Sequence, residues 1–339
     1  MKMKNYLLAI AALVMSLSAS AQSNNTFAQE QMSLSGYLQG GFQTSNDDPS
    51  STFYLKRARV SLTGNAKEEK IDYRLQVDMA GSPKICDLYF RYKPSSAFGM
   101  QLGQFKIPFA IENDIYGPTT VELIDYSYIT TLLARNANRF DGIAATGRDI
   151  GFQIYGGFGD NKDYKTLSYN LGVFNGTGIN KNDDNNAKDI VARLIYKPSK
   201  ELSFSGSAMI TETETGAATI KSNRAALGVI YDAKDFILRS EYAGAEFDTT
   251  AQDYDVNTFY LLGGYKIKKD WMLVARYETL SQGNLNSGIT QDRVTLGAVF
   301  KPYSFLRFQL NYSIEQSGLK NSDYRDKASG LNLMLTAIF

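Results

Sequence analysis

The 339 residues contain no histidine at all. This removes histidine-based catalytic triads, histidine metal ligands and the general acid or base whose ordinary pKa lies nearest neutrality. A surface esterase or a zinc protease is thereby excluded, and nothing else calls for a cofactor or a metal. The single thiol, Cys86, has no partner for an internal disulfide. Beyond the first twenty or so residues no apolar run approaches the roughly 18 residues of a membrane helix, although 43% of the chain is hydrophobic. Charge of one sign is also missing: 36 basic residues stand against 35 acidic ones, a formal net charge of +1, so the total gives no reason to invoke a nucleic-acid partner.

What is present is alternation. In the segment Leu331 to Phe339, Leu331, Leu333, Leu335, Ala337 and Phe339 share one side, and Asn332, Met334 and Thr336 the other. That is the pattern of a strand with one face in lipid. It recurs in about sixteen segments of roughly ten residues, each near the length of a tilted strand crossing a bilayer. Period-two reading places strands at 33–43, 52–63, 69–79, 85–93, 98–107, 148–157, 165–174 and 188–197, then at 201–211, 223–232, 235–245, 256–266, 270–279, 290–301, 304–315 and 329–339. The expected fold is all-β, a 16-stranded antiparallel transmembrane β-barrel with both termini on the periplasmic side.

The links between strands alternate in kind. Short turns follow even-numbered strands, as at Tyr92-Lys93-Pro94-Ser95, Tyr196-Lys197-Pro198-Ser199 and Phe300-Lys301-Pro302-Tyr303, each with an aromatic at the strand end where it meets the headgroup layer. Polar links such as Asn175 to Ala187, Thr211 to Lys221 and Glu315 to Lys327 follow odd-numbered strands and read as extracellular loops. The longest, Pro108 to Gly147, is apolar in its middle, with Val121, Leu123, Ile124, Tyr126, Tyr128, Ile129, Leu132 and Leu133. A loop of this length and character must bury itself, and a wide barrel offers its own interior. The third loop is therefore expected to fold into the lumen and narrow it.

The first residues give an address. Lys2 and Lys4 precede an apolar run from Tyr6 to Leu17, and Ala19-Ser20-Ala21 forms an A-x-A cleavage site. Residues 1–21 are expected to be a signal peptide, 22–32 an N-terminal periplasmic segment, and 33–339 the barrel of an outer-membrane protein in a Gram-negative bacterium. No cysteine follows the apolar run where a lipoprotein signal needs one.

Parity then assigns the charges. In the second strand, Tyr54, Ala58, Val60 and Leu62 suit lipid, which sends Arg57, Arg59, Ser61 and Thr63 inward. A basic side chain facing lipid at the midplane costs about 2–4 kcal/mol, so this parity is strongly constrained. Lys56 breaks the pattern and is expected near the outer rim or beside a bulge. The same rule turns Arg74, Asp78, Asp87, Arg91, Arg193, Arg239, Glu241, Arg276, Glu278, Arg293 and Arg307 into the lumen. In the fifth strand Gln101, Gly103 and Phe105 compete with Gln104 and Lys106 for the inner face. Arg239 and Arg276 have a carboxylate two residues away on the same face, Glu241 and Glu278, that would neutralise them. Arg57 and Arg59 have none on their strand, and the nearest same-face acids of Arg293 and Arg307 lie at strand ends. A surplus of positive charge in a confined lumen favours anions, and the planar guanidinium donates paired hydrogen bonds to phosphate oxygens.

The chain resembles the phosphate- and polyphosphate-selective porins, the O/P-type porins of outer membranes. The resemblance runs through Gly36-Tyr37-Leu38-Gln39, Phe53-Tyr54-Leu55-Lys56-Arg57-Ala58-Arg59, Asp87-Leu88-Tyr89, Gly103-Gln104-Phe105-Lys106-Ile107-Pro108-Phe109, Arg148-Asp149-Ile150-Gly151 and Val173-Phe174-Asn175-Gly176. It implies a homotrimer of sixteen-stranded barrels that pass phosphate. It also implies that Lys56 and Arg57 form the basic pair at the constriction, against the parity reading of Lys56. Lys106, Arg135 and Arg139 are further constriction candidates. The candidate anion-binding and pore-lining set is thus Lys56, Arg57, Arg59, Arg74, Asp87, Lys106, Arg135, Arg139, Arg193, Arg293 and Arg307.

The leading expectation is a passive channel for small anions such as phosphate, embedded in outer-membrane lipid. Two alternatives are a general diffusion porin whose lumen charges cancel, and an adhesin working through its extracellular loops. An energy-coupled transporter needs a plug and about twenty-two strands, for which the chain is too short. The run Asn182-Asp183-Asp184-Asn185-Asn186 lacks EF-hand spacing and reads as a solvated loop. Arg148 beside Asp149 reads as an ion pair at the exit of the long loop.

Overall fold

Alternating side chains, with apolar groups on one face of every strand, leave a sheet no stable edge in lipid, and the sheet closes on itself. The computed structural model describes residues 32–46, 51–65, 70–135, 146–159, 161–183, 185–215, 218–250, 252–283, 288–320 and 325–339. The signal-peptide, cleavage-site and N-terminal-segment expectations lie outside these residues, save for Met32, and so does Arg139.

Sixteen antiparallel strands form a closed barrel in which each strand pairs with its sequence neighbours and β1 pairs with β16. The first eight are β1 (Met32–Ser45), β2 (Thr52–Asn65), β3 (Ile71–Asp78), β4 (Lys84–Tyr92), β5 (Gly99–Lys106), β6 (Arg148–Phe158), β7 (Leu167–Phe174) and β8 (Asp189–Tyr196). The second eight are β9 (Leu202–Thr215), β10 (Ala218–Asp232), β11 (Phe236–Thr249), β12 (Tyr254–Lys268), β13 (Trp271–Gly283), β14 (Gly288–Tyr303), β15 (Leu306–Leu319) and β16 (Asp326–Ile338). Closure is sealed by reciprocal backbone bonds between Gly36 and Phe339, 2.8 and 3.0 Å.

The alternation is expressed as expected along most strands. On β12, Val256, Thr258, Tyr260 and Leu262 are buried while Leu261 and Tyr265 are exposed on the outer wall. Tyr92, Tyr196, Tyr231, Tyr265, Trp271 and Tyr303 are exposed near the strand ends that meet the short turns, where aromatic rings suit the headgroup layer.

Two expectations are corrected. Several links read as extracellular loops are largely strand: β9 continues to Thr215 and β10 starts at Ala218, so the span from Thr211 to Lys221 is mostly a paired hairpin. Above the hydrocarbon both faces of such a hairpin meet water. The apolar alternation used to find strands therefore disappears while pairing persists, as in the Lys221–Glu212 ion pair at 3.4 Å. The second correction concerns β2. Its register against β1 shifts between Gln39 and Gly40, which pair with Arg57 and Leu55, so Lys56 is the extra residue of a β-bulge. Parity inverts there: Phe53 and Leu55 face outward, 85% and 80% exposed. Tyr54, expected in lipid, turns inward, and its hydroxyl bonds Asn332 Oδ1.

Between β5 and β6 the chain makes a short helix, α1 (Ile111–Asp114), and a π-helical turn at Ile129–Ala134. Its apolar residues Ile107, Phe109, Leu123, Ile129 and Leu133 are fully buried in one cluster with the inward side chains Phe174, Val191, Met209, Ala243, Tyr260, Leu262 and Val274. Two glycines make room. A Cβ on Gly228 would stand 2.4 Å from Ile111 Cδ1, and one on Gly297 would stand 2.6 Å from Leu123 Cδ2. The segment's backbone and carboxylates are held just as closely. Glu241 accepts the Ile111 amide at 2.9 Å, Arg239 donates two bonds to Glu122 at 2.6 and 2.8 Å, and Gln309 donates to the Glu122 carbonyl at 2.6 Å.

Candidate functional site

The inward side chains of β2 to β7 face a cavity of about 480 Å³, whose lining includes Arg59, Arg74, Asp87, Arg91, Lys106, Arg148, and Asp114 of α1. Five cations and two carboxylates line it, and Asp78 and Asp72 are bonded to two of those cations, Arg59 and Arg91, so the local balance is one positive charge.

Most lumen arginines have carboxylate partners, more than strand-by-strand reading allowed. Arg59, with no acid on its own strand, meets Asp78 of β3 at 2.8 Å and the Tyr37 hydroxyl at 3.1 Å. Arg74 and Arg148 both reach Asp87, at 3.3 and 2.7 Å. Arg148 is therefore not paired with Asp149, whose oxygens instead accept the amides of Ile150 and Gly176 at 2.7 and 2.6 Å. Arg193 pairs with Asp114, and Arg293 with Glu278 and, at 3.7 Å, Glu315. Asp183 of the acidic run is taken by Lys188. Arg59, Arg74 and Arg293 pair across adjacent strands, Arg148 reaches past β5 to Asp87 on β4, and Arg193 pairs with the long loop; no spacing within one strand reveals these partners.

Four candidates are placed otherwise. Lys56 reaches inward from its bulge to the Ile124 carbonyl at 2.9 Å and Asp125 at 2.8 Å. The bulge allowed by parity is present, and from it Lys56 reaches the long loop. Lys106 donates to the Asn113 carbonyl at 2.5 Å, and it lines the cavity together with Gln101 and Phe105. Gln104 turns instead to the carbonyls of Ile85 and Cys86. Arg307 is held by the carbonyls of Thr119, at 2.9 Å, and Val121. Arg57 donates to Gln39 Oε1 at 2.7 Å and has no carboxylate partner among the described residues.

Arg57 and Arg135 share one ring. Their guanidinium carbons lie 6.0 and 4.0 Å from the centre of Tyr126, close enough for each cation to be drawn to the π face. Arg135 has two buried nitrogens, Nε and Nη2, with no hydrogen-bond partner among the described residues. Burial, reinforced by the Arg57 charge, pushes its guanidinium down to about 10. It still carries its proton at neutral pH. Tyr126 was recognised in the sequence only as part of an apolar run; its place between two cations has no sequence signal.

A closed sixteen-stranded barrel with a charged inner face is the architecture of channel-forming proteins of the outer-membrane type. Residues 34–339 match the family model for phosphate-selective porin O and P. The chain belongs to that family. No curated protein matches it. Among solved structures it is similar to an anion-selective porin from Comamonas acidovorans, at 15% identity and TM-score 0.71, over 91% of this chain and 99% of that one. OmpT of Vibrio cholerae, described in a trimer form, is 15% identical with TM-score 0.68 over 91% and 99%. The outer-membrane channel DcaP of Acinetobacter baumannii is 13% identical with TM-score 0.65 over 91% and 97%.

Proposed function

We propose that the protein is a passive channel for anions of the phosphate type, in which the described part of the long loop, residues 108–135, lies in the lumen and the Arg57–Tyr126–Arg135 group is its selective passage. The observation that carries this is the pair of guanidiniums without carboxylates, one of them with buried, unused donors. Buried donors are ordinarily satisfied, and an anion oxygen is the group that would satisfy these. Lys106 and Arg307, held only by carbonyls among the described residues, add positive charge to the lumen, while Lys56, Arg59, Arg74, Arg193 and Arg293 act with their carboxylates to set the local field. A unit pair at 4 Å attracts by roughly 4 kcal/mol at an effective dielectric of 20, enough to draw an anion from water, and a series of weak sites lets it leave. The likeness to a porin described as anion-selective supports this function, and the trimeric relative supports a homotrimer.

A general diffusion porin is the second reading, favoured by the extensive neutralisation of the wall, as at Arg276 between Glu112 and Glu278. Reversal potential in a planar bilayer under a potassium chloride gradient separates the two. Chloride preference is expected, a ratio near one supports the general porin, and potassium preference overturns both the surplus and its role.

A further inference from the structure

We infer that the cavity beside β2 to β7 favours phosphate esters of hydroxylated organic molecules, sugar phosphates in particular, over inorganic phosphate. This deepens the anion-channel reading and rests on it. The cavity, at about 480 Å³, falls within the range of roughly 300–1,000 Å³ typical of sites for organic molecules.

Its lining is not that of a site built for a bare anion. Cations recur at successive levels, given by the strand register. Lys106 pairs with Arg148 across β5 and β6; Arg74 of β3 pairs with Tyr89, which pairs with Gly103; Arg91 pairs with Gln101. At about 3.3 Å per residue, the Tyr89 level lies roughly 10 Å below Lys106 and the Gln101 level roughly 16 Å below it. Two cations, Arg74 and Arg148, share the one carboxylate of Asp87. Among the described residues, Lys106 has only a carbonyl partner.

Between these levels stand groups that offer little to inorganic phosphate. Tyr89 meets Phe105 edge-on at 6.2 Å, and Tyr155 lines the cavity with a buried hydroxyl that has no partner among the described residues. Amides form a ladder: Gln153 Nε2 donates to Gln101 Oε1 at 2.9 Å and Asn170 Nδ2 to Gln153 Oε1 at 3.3 Å. Arg193 completes it with a bond to Asn170 Oδ1 at 3.2 Å. Inorganic phosphate is chiefly an acceptor and uses cations and N–H groups. Aromatic faces, a tyrosine hydroxyl and amides that both donate and accept suit a body carrying hydroxyls and C–H faces. A sugar phosphate can hold its phosphoryl group at one cation while its body rests on the next tyrosine and the amide ladder, and then move one level on.

The test is blockage of ion current through the purified full-length porin in planar bilayers by glucose 6-phosphate, inorganic phosphate and glucose at matched ionic strength. Glucose 6-phosphate is expected to block at concentrations about tenfold lower than inorganic phosphate, with glucose weaker still, a difference equivalent to one or two extra weak contacts. Tyr155→Ala combined with Gln101→Ala is expected to erase that advantage while leaving reversal potential and block by inorganic phosphate in place. Equal block by the two phosphates in the unmodified channel overturns the inference without any variant, and so does an advantage that survives the double substitution. Loss of chloride preference in the unmodified channel would instead sink the anion-channel reading itself.

Discussion

Replacing Arg57 or Arg135 by alanine removes one unit of positive charge from the passage beside Tyr126, and the structure sets the size of the effect. The two guanidinium carbons lie 6.0 and 4.0 Å from the same ring centre. An ion passing at roughly 6 Å from one of them, in a water-filled lumen of dielectric about 80, feels about 0.7 kcal/mol; screening over about 8–10 Å reduces this to about 0.4 kcal/mol. Chloride gains that energy and potassium loses it, so the difference is about 0.8 kcal/mol, a factor of about four in the permeability ratio. Each single variant is expected to lower chloride over potassium by that factor, and the double variant by more. The assay is reversal potential under a salt gradient with heat-modifiable electrophoretic mobility as the check on barrel integrity. Arg91→Gln with Asp72→Asn removes a matched pair joined at 2.6 Å and serves as the charge-neutral control, with little change expected. An unaltered ratio in both alanine variants, in intact barrels, would show that these two cations do not face the ions.

Other outcomes concern the inner segment and pH. Arg239→Ala strips both hydrogen bonds from the buried Glu122 carboxylate, and an unpaired buried charge costs about 3–5 kcal/mol. The segment should therefore detach, with larger and noisier single-channel conductance, and conductance indistinguishable from the parent would refute its role as a clamp. Gly228→Val and Gly297→Val fill the seats of Ile111 and Leu123 and should raise conductance in the same way without unfolding the barrel. Burial holds the Arg135 guanidinium at about 10, so its charge is present at neutral pH and is lost as pH rises through that value. Anion preference should therefore fall between about pH 9 and 11, and a reversal potential unchanged across that range would contradict a role for Arg135.

Sequence alone determined the barrel. Alternation is a local property: each strand must present apolar groups to lipid and polar groups to water, so the strand count, the inward arginines and the periplasmic aromatics follow from period two without knowledge of neighbours. The buried character of the long third connection was also written in its run of apolar residues. What the tertiary structure decided was which charges cancel. Arg59 meets Asp78, Arg148 meets Asp87 and not its neighbour Asp149, and Arg239 meets Glu122 across 117 residues. Strand register and loop path bring these partners together, and neither is encoded in spacing along one strand. The bulge at Lys56 belongs to the same class, because one extra residue inverts every side chain beyond it and the β1 pairing reveals where it sits. The barrel was legible because lipid imposes its rule on each strand separately; the balance of charge in the passage was not, because electrostatic pairing depends on distances that only the closed fold sets.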